Sequence, residues 1–291
     1  MKRLISIFLT ACLMACLTAL PAMAEPGDPY APPANLAALS QAEQLAYFNL
    51  VANRARAEKP GFKQREKLYI ESFRSSLLGG ALDSLINSVV KQLMPGDWKY
   101  QTIANSQDNK GLFLSDNANA SDLTAQDITS ITSTKQGDNW VIVVGVAEAI
   151  NPAKGTASSI GRISPVATRE DIIEDLAGSG LFAEVANTTL RYHNAYAGVI
   201  VNPDGKVLFS ELGFLAEAAV KGASLATFTF DVTANQSAKW QYAAFDWTDA
   251  PMPLPTDDAP IILPPTGPWY TSLPPWMQWI LRWIFFGWIW M

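Results

Sequence analysis

The chain has 291 residues, of which 49% are hydrophobic and 16% charged, and a formal net charge of −6. That length and apolar content suffice for one sizeable core. The acidic balance, with no run of Lys or Arg, excludes a grip on nucleic-acid phosphates, and only two cysteines exclude a disulfide scaffold.

The N-terminus predicts export. Met1-Lys-Arg3 is a basic start, Leu4 to Leu20 an apolar run, and Ala22-Met-Ala24 a small-x-small cleavage site before Glu25. Together they predict a secretory signal peptide over residues 1–24. Leu9-Thr-Ala-Cys12 has the outline of a lipoprotein site, but cleavage there would leave the apolar stretch Leu13 to Ala24 where a polar tether is usual. Signal removal takes both Cys12 and Cys16 with it, so the mature domain must hold together through its core alone. Without Lys2 and Arg3 the count is 19 basic against 27 acidic residues, a charge of −8.

Pro26, Pro29, Pro32 and Pro33 make residues 25–35 a Pro-rich leader. Residues 36–248 read as a single α+β globular domain. Ser40-Gln-Ala-Glu43 fits a capping box, Leu45, Phe48 and Ala52 give the helix an apolar face, and Lys59-Pro-Gly61 stops it. A strand is expected around 67–73, a second helix over Ala81 to Leu93, and a loop over Asn105 to Asp122. A hairpin follows, Ile128 to Lys135 and Trp140 to Ala147 around Gln136-Gly-Asp-Asn139. Its second strand is apolar on both faces, which places it centrally. Thr168 caps a helix over Arg169 to Ala177, closed by Gly178-Ser-Gly180.

From there the pattern is all strand: Leu190 to Val201, the turn Asn202-Pro-Asp-Gly205, Lys206 to Leu215, Leu225 to Thr233, and Lys239 to Trp247. In the third, Phe228, Phe230 and Val232 point inward. In the fourth, the apolar phase slips between Tyr242 and Phe245, as at a bulge. The expected fold is α+β: a twisted antiparallel sheet ending in a four-stranded meander, with helices packed on one face.

Few residues suit catalysis. His193 is the sole histidine, expected on one strand face with Ala195, Ala197 and Val199, as a hydrogen-bonded strand residue. One histidine and no mature cysteine argue against zinc, and no cofactor is expected. Ser88-Val-Val-Lys91 and Ser115-Asp-Asn117 resemble two motifs of penicillin-interacting serine enzymes. The third, Lys-Thr-Gly, is missing, Lys154-Gly-Thr156 being a permutation. Gly222-Ala-Ser224-Leu-Ala226 approaches a nucleophile elbow but ends in Ala, and His193 precedes the serine. Glu170, Asp171, Glu174 and Asp175 fit the first turns of a helix through its dipole. Asp116, Asn117, Asn119 and Asp122 fail the EF-hand spacing. Asn119, Asn187 and Asn235 open glycosylation sequons, relevant only on a eukaryotic secretory route.

Residues 249–275 contain nine prolines, a semi-rigid stalk. Residues 276–291 hold five of the ten tryptophans (Trp276, Trp279, Trp283, Trp288 and Trp290) and a single charge, Arg282. At ~1.5 Å per residue this stretch reaches about 24 Å as a helix, short of the ~30 Å hydrocarbon core. Thr271, Gln278 and Arg282 share one stripe. Tryptophan favours the bilayer interface, so the tail is expected to associate with a membrane.

Within the stalk, Leu263-Pro264-Pro265-Thr266-Gly267 resembles the sortase sorting signal of Gram-positive surface proteins, which implies transpeptidase cleavage between Thr266 and Gly267. Arg282 inside the apolar stretch, and the absence of Lys or Arg after Trp290, depart from that pattern. Retention of the tail and removal by a sortase both stay open. The layout of signal, single domain, proline stalk and Trp-rich end is similar to uncharacterised exported envelope proteins of Gram-positive bacteria.

The expected function is therefore that of an exported, membrane-tethered, non-enzymatic envelope protein binding an unknown ligand or protein partner. Tyr192, Tyr196, Trp240 and Tyr242 either line its cleft or belong to the core. The alternatives are a cell-envelope hydrolase using Ser224 or a carboxylate pair, and a structural spacer.

Overall fold

A computed structural model of the chain describes residues 28–76, 83, 96–106, 122–153, 158–164, 166–178, 183–225, 227–247, 249 and 251–255. The signal peptide expected over residues 1–24, all but Asp83 of the helix expected over Ala81 to Leu93 and most of the loop over Asn105 to Asp122 lie outside these residues. So do the segment that resembles a sorting signal and the Trp-rich tail.

The first helix, α1 (Gln41–Glu58), starts as its capping box dictates. Ser40 Oγ accepts from the Glu43 N–H at 3.3 Å, and Glu43 Oε2 accepts from the Ser40 N–H at 2.8 Å. It ends where Lys59 turns left-handed at φ 46°. Leu45, Phe48 and Ala52 are buried together with Tyr47, Val51 and Ala55, so the inward stripe is wider than the expected one.

Eight strands follow: β1 (Phe62–Ser75), β2 (Lys99–Ile103), β3 (Ile128–Gln136), β4 (Asn139–Val146), β5 (Ala149–Ile150), β6 (Thr188–Val201), β7 (Val207–Leu225) and β8 (Phe228–Ala243). A second helix, α2 (Arg169–Gly178), begins behind Thr168, whose Oγ1 accepts from the Asp171 N–H at 3.3 Å. All strands pair antiparallel in one sheet of order β2-β1-β8-β7-β6-β4-β3, with β5 added beside β6.

This corrects the α+β expectation. The fold is β-rich, and among the described residues α1 is the only helix longer than ten residues; no layer of helices covers one face. The four-stranded meander is corrected as well. Its last three segments merge into two strands, β7 of 19 residues and β8 of 16. The stretches read as breaks, 216–224 and 234–238, are small or polar in sequence, yet they pair, with a shift only between Val220 and Ala223: Ala216 lies opposite Gln236, Leu215 opposite Ser237 and Phe214 opposite Ala238. In the middle of a sheet the partners on either side decide strand formation, and intrinsic preference is secondary. Gly222, at φ 65°, forms a bulge within β7. The phase slip after Tyr242 is the end of β8, where Ala244 turns to φ 53° and its N–H donates to Met252 O at 2.7 Å. Phe228, expected inward, is 58% exposed beside the β7–β8 turn.

The hairpin β3–β4 has the expected register, with Gln136 opposite Asn139, and β4 lies inside the sheet with both faces buried. On one face of the sheet, the core face, Ile142, Val144, Val199, Leu212 and Phe214, among others, share one buried apolar cluster with α1. The opposite face carries a smaller apolar cluster of Val141, Val143, Tyr196, Ile200, Leu208 and Phe209, with Met252 and Leu254 packed over it. Tyr30 closes the β6–β7 turn: a Cβ on Gly205, at φ 70°, would lie 2.0 Å from Tyr30 O. The same oxygen accepts from Tyr47 Oη at 2.9 Å.

Candidate functional site

Four neighbouring strands bring a row of polar side chains together on the opposite face. The register sets Arg65 of β1 directly across from Gln241 of β8, and Gln241 across from Glu211 of β7. On β6 the residue across from Glu211 is Gly198. Having no side chain, it leaves space for Tyr196, two positions along, to reach diagonally, a distance that aromatic side chains cover.

The resulting chain of hydrogen bonds has a fixed direction. Arg65 Nε donates to Gln241 Oε1 at 2.6 Å, Gln241 Nε2 donates to Glu211 Oε2 at 2.6 Å, and Tyr196 Oη donates to Glu211 Oε1 at 2.5 Å. Lys239 Nζ lies 3.1 Å from the same Glu211 oxygen. Arginine only donates and a carboxylate only accepts, so the amide of Gln241 has one orientation that satisfies both. Arg65, Glu211 and Gln241 are fully buried. Burial pushes the Tyr196 phenol well above its ordinary pKa, and the Glu211 carboxylate adds to the shift, which keeps the hydroxyl a donor. The Arg65 guanidinium also lies over the Trp98 ring, 4.0 Å from its centroid.

Beside this row lies a cleft of about 380 Å³ lined by Lys67, Trp98, Asn194, Tyr196, Leu215, Ser237 and Lys239, with Gly213 contributing backbone. That volume is at the small end of ligand sites. Gly213 is required by close approach: a Cβ there would meet Tyr196 Cε1 at 2.9 Å and Ala238 O at 3.1 Å. The tyrosine ring therefore lies on the glycine and stiffens one wall.

Of the four aromatics expected to line a cleft or fill the core, only Tyr196 reaches the cleft. For the two on β6, Asn194 is the reason that they part. It sits at φ 51° in a bulge between His193 and Tyr196, which adds one residue to the strand and reverses the alternation. Tyr192 consequently points to the core face, edge-on to Phe214 at 5.1 Å between centroids, and its hydroxyl donates to Ala167 O at 3.2 Å. Trp240 and Tyr242 share that face. Trp240 packs on Phe214 and donates to Glu66 Oε2 at 3.1 Å, while Tyr242 packs edge-on to Phe62 at 5.7 Å.

The same bulge separates His193 from the residues expected beside it. Ala195, Ala197 and Val199 belong to the core, whereas His193 pairs with Leu215 on the cleft side of the sheet. Its imidazole pKa is lowered, first by burial and then by Arg191, with Glu148 and Glu217 opposing. Ser224 pairs with Thr229 near the far end of β7. The nine positions from Leu215 to Ser224 put the serine about 25–30 Å along the strand from His193, so the two do not form a nucleophile–base pair.

Asp171 accepts from Thr168 N and Oγ1 at 2.8 and 2.9 Å, as a helix-capping acid does. Asp122 pairs with Arg162 at 2.8 Å. Ser88, Lys91, the segments 115–117 and 154–156, and the tail residues Trp276, Trp279, Arg282, Trp283, Trp288 and Trp290 are outside the described residues, as are Leu263, Pro264, Thr266 and Gly267. Among the described residues no group of three or more His, Cys, Asp or Glu side chains is placed to hold a metal ion, and no helix is long and apolar enough to cross a membrane.

Sequence reasoning passed over Lys67, Trp98, Lys239, Glu211 and Gln241. Arg65 and Lys67 alternate with Glu66 and Leu68, a strand signal that shows which residues share a face. Their partner strand begins more than 160 residues later, and no local pattern identifies it. No family model, curated protein or solved structure matches the chain.

Proposed function

We propose that this is an exported, membrane-tethered, non-enzymatic envelope protein whose sheet binds a small ligand outside the cell in the cleft between Trp98 and Tyr196. The observation that carries the binding reading is the rigid wall of the cleft. Tyr196 is pinned at its hydroxyl by Glu211 and at its ring by Gly213, so little ordering remains to be done when a ligand enters. Tethering rests on the signal sequence and on the indoles of residues 276–291.

Ser237→Phe, which places a ring in the cleft, tests the binding reading. A thermal-shift screen of envelope constituents is expected to find a molecule that raises the Tm of the wild-type chain and not that of the variant. At a hundredfold excess over Kd the stabilisation is about 2.7 kcal/mol. Finding no such molecule, or an equal shift in the variant, would overturn the reading.

For the tether, truncation after Pro275 is expected to move the protein into the soluble fraction, whereas high salt releases little of the intact chain, because a single arginine contributes little screened attraction. Extraction of the intact chain by salt alone would contradict an interfacial tail. Loss of covalent wall linkage in Thr266→Ala would favour sortase attachment instead.

A further inference from the structure

The cleft's lining suggests the chemistry of its occupant. Lys67 and Lys239 are direct partners across β1 and β8, and both side chains line the cleft. Like charges set opposite each other repel. Glu211 offsets part of that repulsion from beneath, through its contact with Lys239 at 3.1 Å. Among the described residues the lining contains no carboxylate, although the chain as a whole is acidic. Next to the two ammonium groups stand apolar surfaces, the Trp98 indole and the Leu215 side chain.

We infer that the cleft takes an oxyanion, carboxylate or phosphate, attached to a flat apolar body. This rests on the binding reading above. The oxyanion sits between the Lys67 and Lys239 ammonium groups and accepts a charge-assisted hydrogen bond from each. The flat body lies against Trp98 and Leu215, where its area leaves water. Asn194 and Ser237, also in the lining, offer hydrogen bonds to polar substituents. An inorganic anion lacks the apolar half of these contacts, and a neutral ring lacks the ionic half.

Equilibrium dialysis of the full chain in nanodiscs, with empty nanodiscs as blank, tests this with four probes: 2-naphthoate, 2-naphthyl phosphate, the neutral isostere 2-naphthamide, and inorganic phosphate. At least one naphthyl anion is expected to bind about tenfold or more tightly than either naphthamide or phosphate alone. The preferred head group identifies whether the natural ligand is a carboxylate or a phosphate. Lys67→Gln is expected to remove about tenfold of that affinity, Lys67→Arg to restore most of it, and Lys135→Gln, on the exposed edge of β3, to leave it unchanged.

Because the charged and neutral probes are compared on the intact protein, the inference stays testable if a variant does not fold. Naphthamide binding as tightly as the anions in a Ser237→Phe-sensitive manner would overturn the oxyanion inference and leave the binding cleft standing. Phosphate binding as tightly as the naphthyl anions would overturn the apolar half. If none of the probes binds, the inference falls; the binding reading is then decided by the screen of envelope constituents.

Discussion

Glu211→Ala is expected to destabilise the fold by about 3–5 kcal/mol, the cost typical of removing one partner from a buried ionic network. Glu211 is fully buried and accepts from Tyr196 and Gln241 while facing Lys239 at 3.1 Å. Its loss leaves two donors and an ammonium group without their acceptor, and each unsatisfied buried group costs about 1–3 kcal/mol. Glu211→Gln is informative because it keeps the shape. A glutamine presents one acceptor and one donor: its oxygen can accept from Gln241 while its NH₂ group donates to the Tyr196 oxygen, but the Tyr196 O–H and the Lys239 ammonium then lose the acceptor they share. Turning the Gln241 amide to compensate would aim its NH₂ group at Arg65, itself only a donor. The conservative change is therefore expected to cost about 1–3 kcal/mol, read as a lower urea midpoint at unchanged m. A Glu211→Gln variant as stable as the wild type would show that the row does not hold the sheet together as described.

Alkaline unfolding is the second large effect. Tyr47, Tyr192, Tyr196 and Tyr242 are all buried, and burial is the first cause of the raised pKa in each. Tyr192 is pushed up to about 12, and burial raises the other three as well. In the unfolded chain the same phenols ionise near pH ~10. Between these values the unfolded state has released protons that the folded state still binds, so stability falls as pH rises. The contribution is fully present below pH ~10 and is lost through the window from about 10 to 12, where Tyr192 begins to ionise in the folded state. Each tyrosine removes about 1 kcal/mol between pH ~10 and ~11, so four remove about 4 kcal/mol, a large part of an ordinary domain's ~5–15 kcal/mol. Tyrosinate absorbance and far-UV circular dichroism are expected to change together for these four residues. In Tyr192→Phe the slope of stability against pH should fall by about a quarter. Ionisation of all eight tyrosines near pH ~10 with the dichroism unchanged would contradict the burial that the sheet imposes.

Local chemistry alone determined several elements. The capping box at Ser40, the cap at Thr168, the hairpin turn between Gln136 and Asn139 and the Asn202–Gly205 turn all lie where their side chains and glycines require, because each is satisfied within a few residues of itself. The apolar run of β4 likewise announced burial on both faces. The length of β7 and β8 was not legible, since their small and polar middles become strand only through partners on both sides. The helical layer was misjudged for a related reason: early helix signals are strong one by one, while the sheet area that outweighs them comes from pairings distant in sequence.

The site depended on tertiary structure almost entirely. Alternation along Leu190 to Val201 put Tyr192 and Tyr196 on one face and His193 with Ala195 on the other. One residue in the left-handed region, Asn194, reverses both assignments. A single inserted residue shifts a period of two by half its length, so every residue beyond it changes face. Whether a strand contains that insertion is set by how its neighbours must curve and pair. The row from Arg65 to Tyr196 is a product of register between strands as much as 176 residues apart, and it exists only once the sheet has closed.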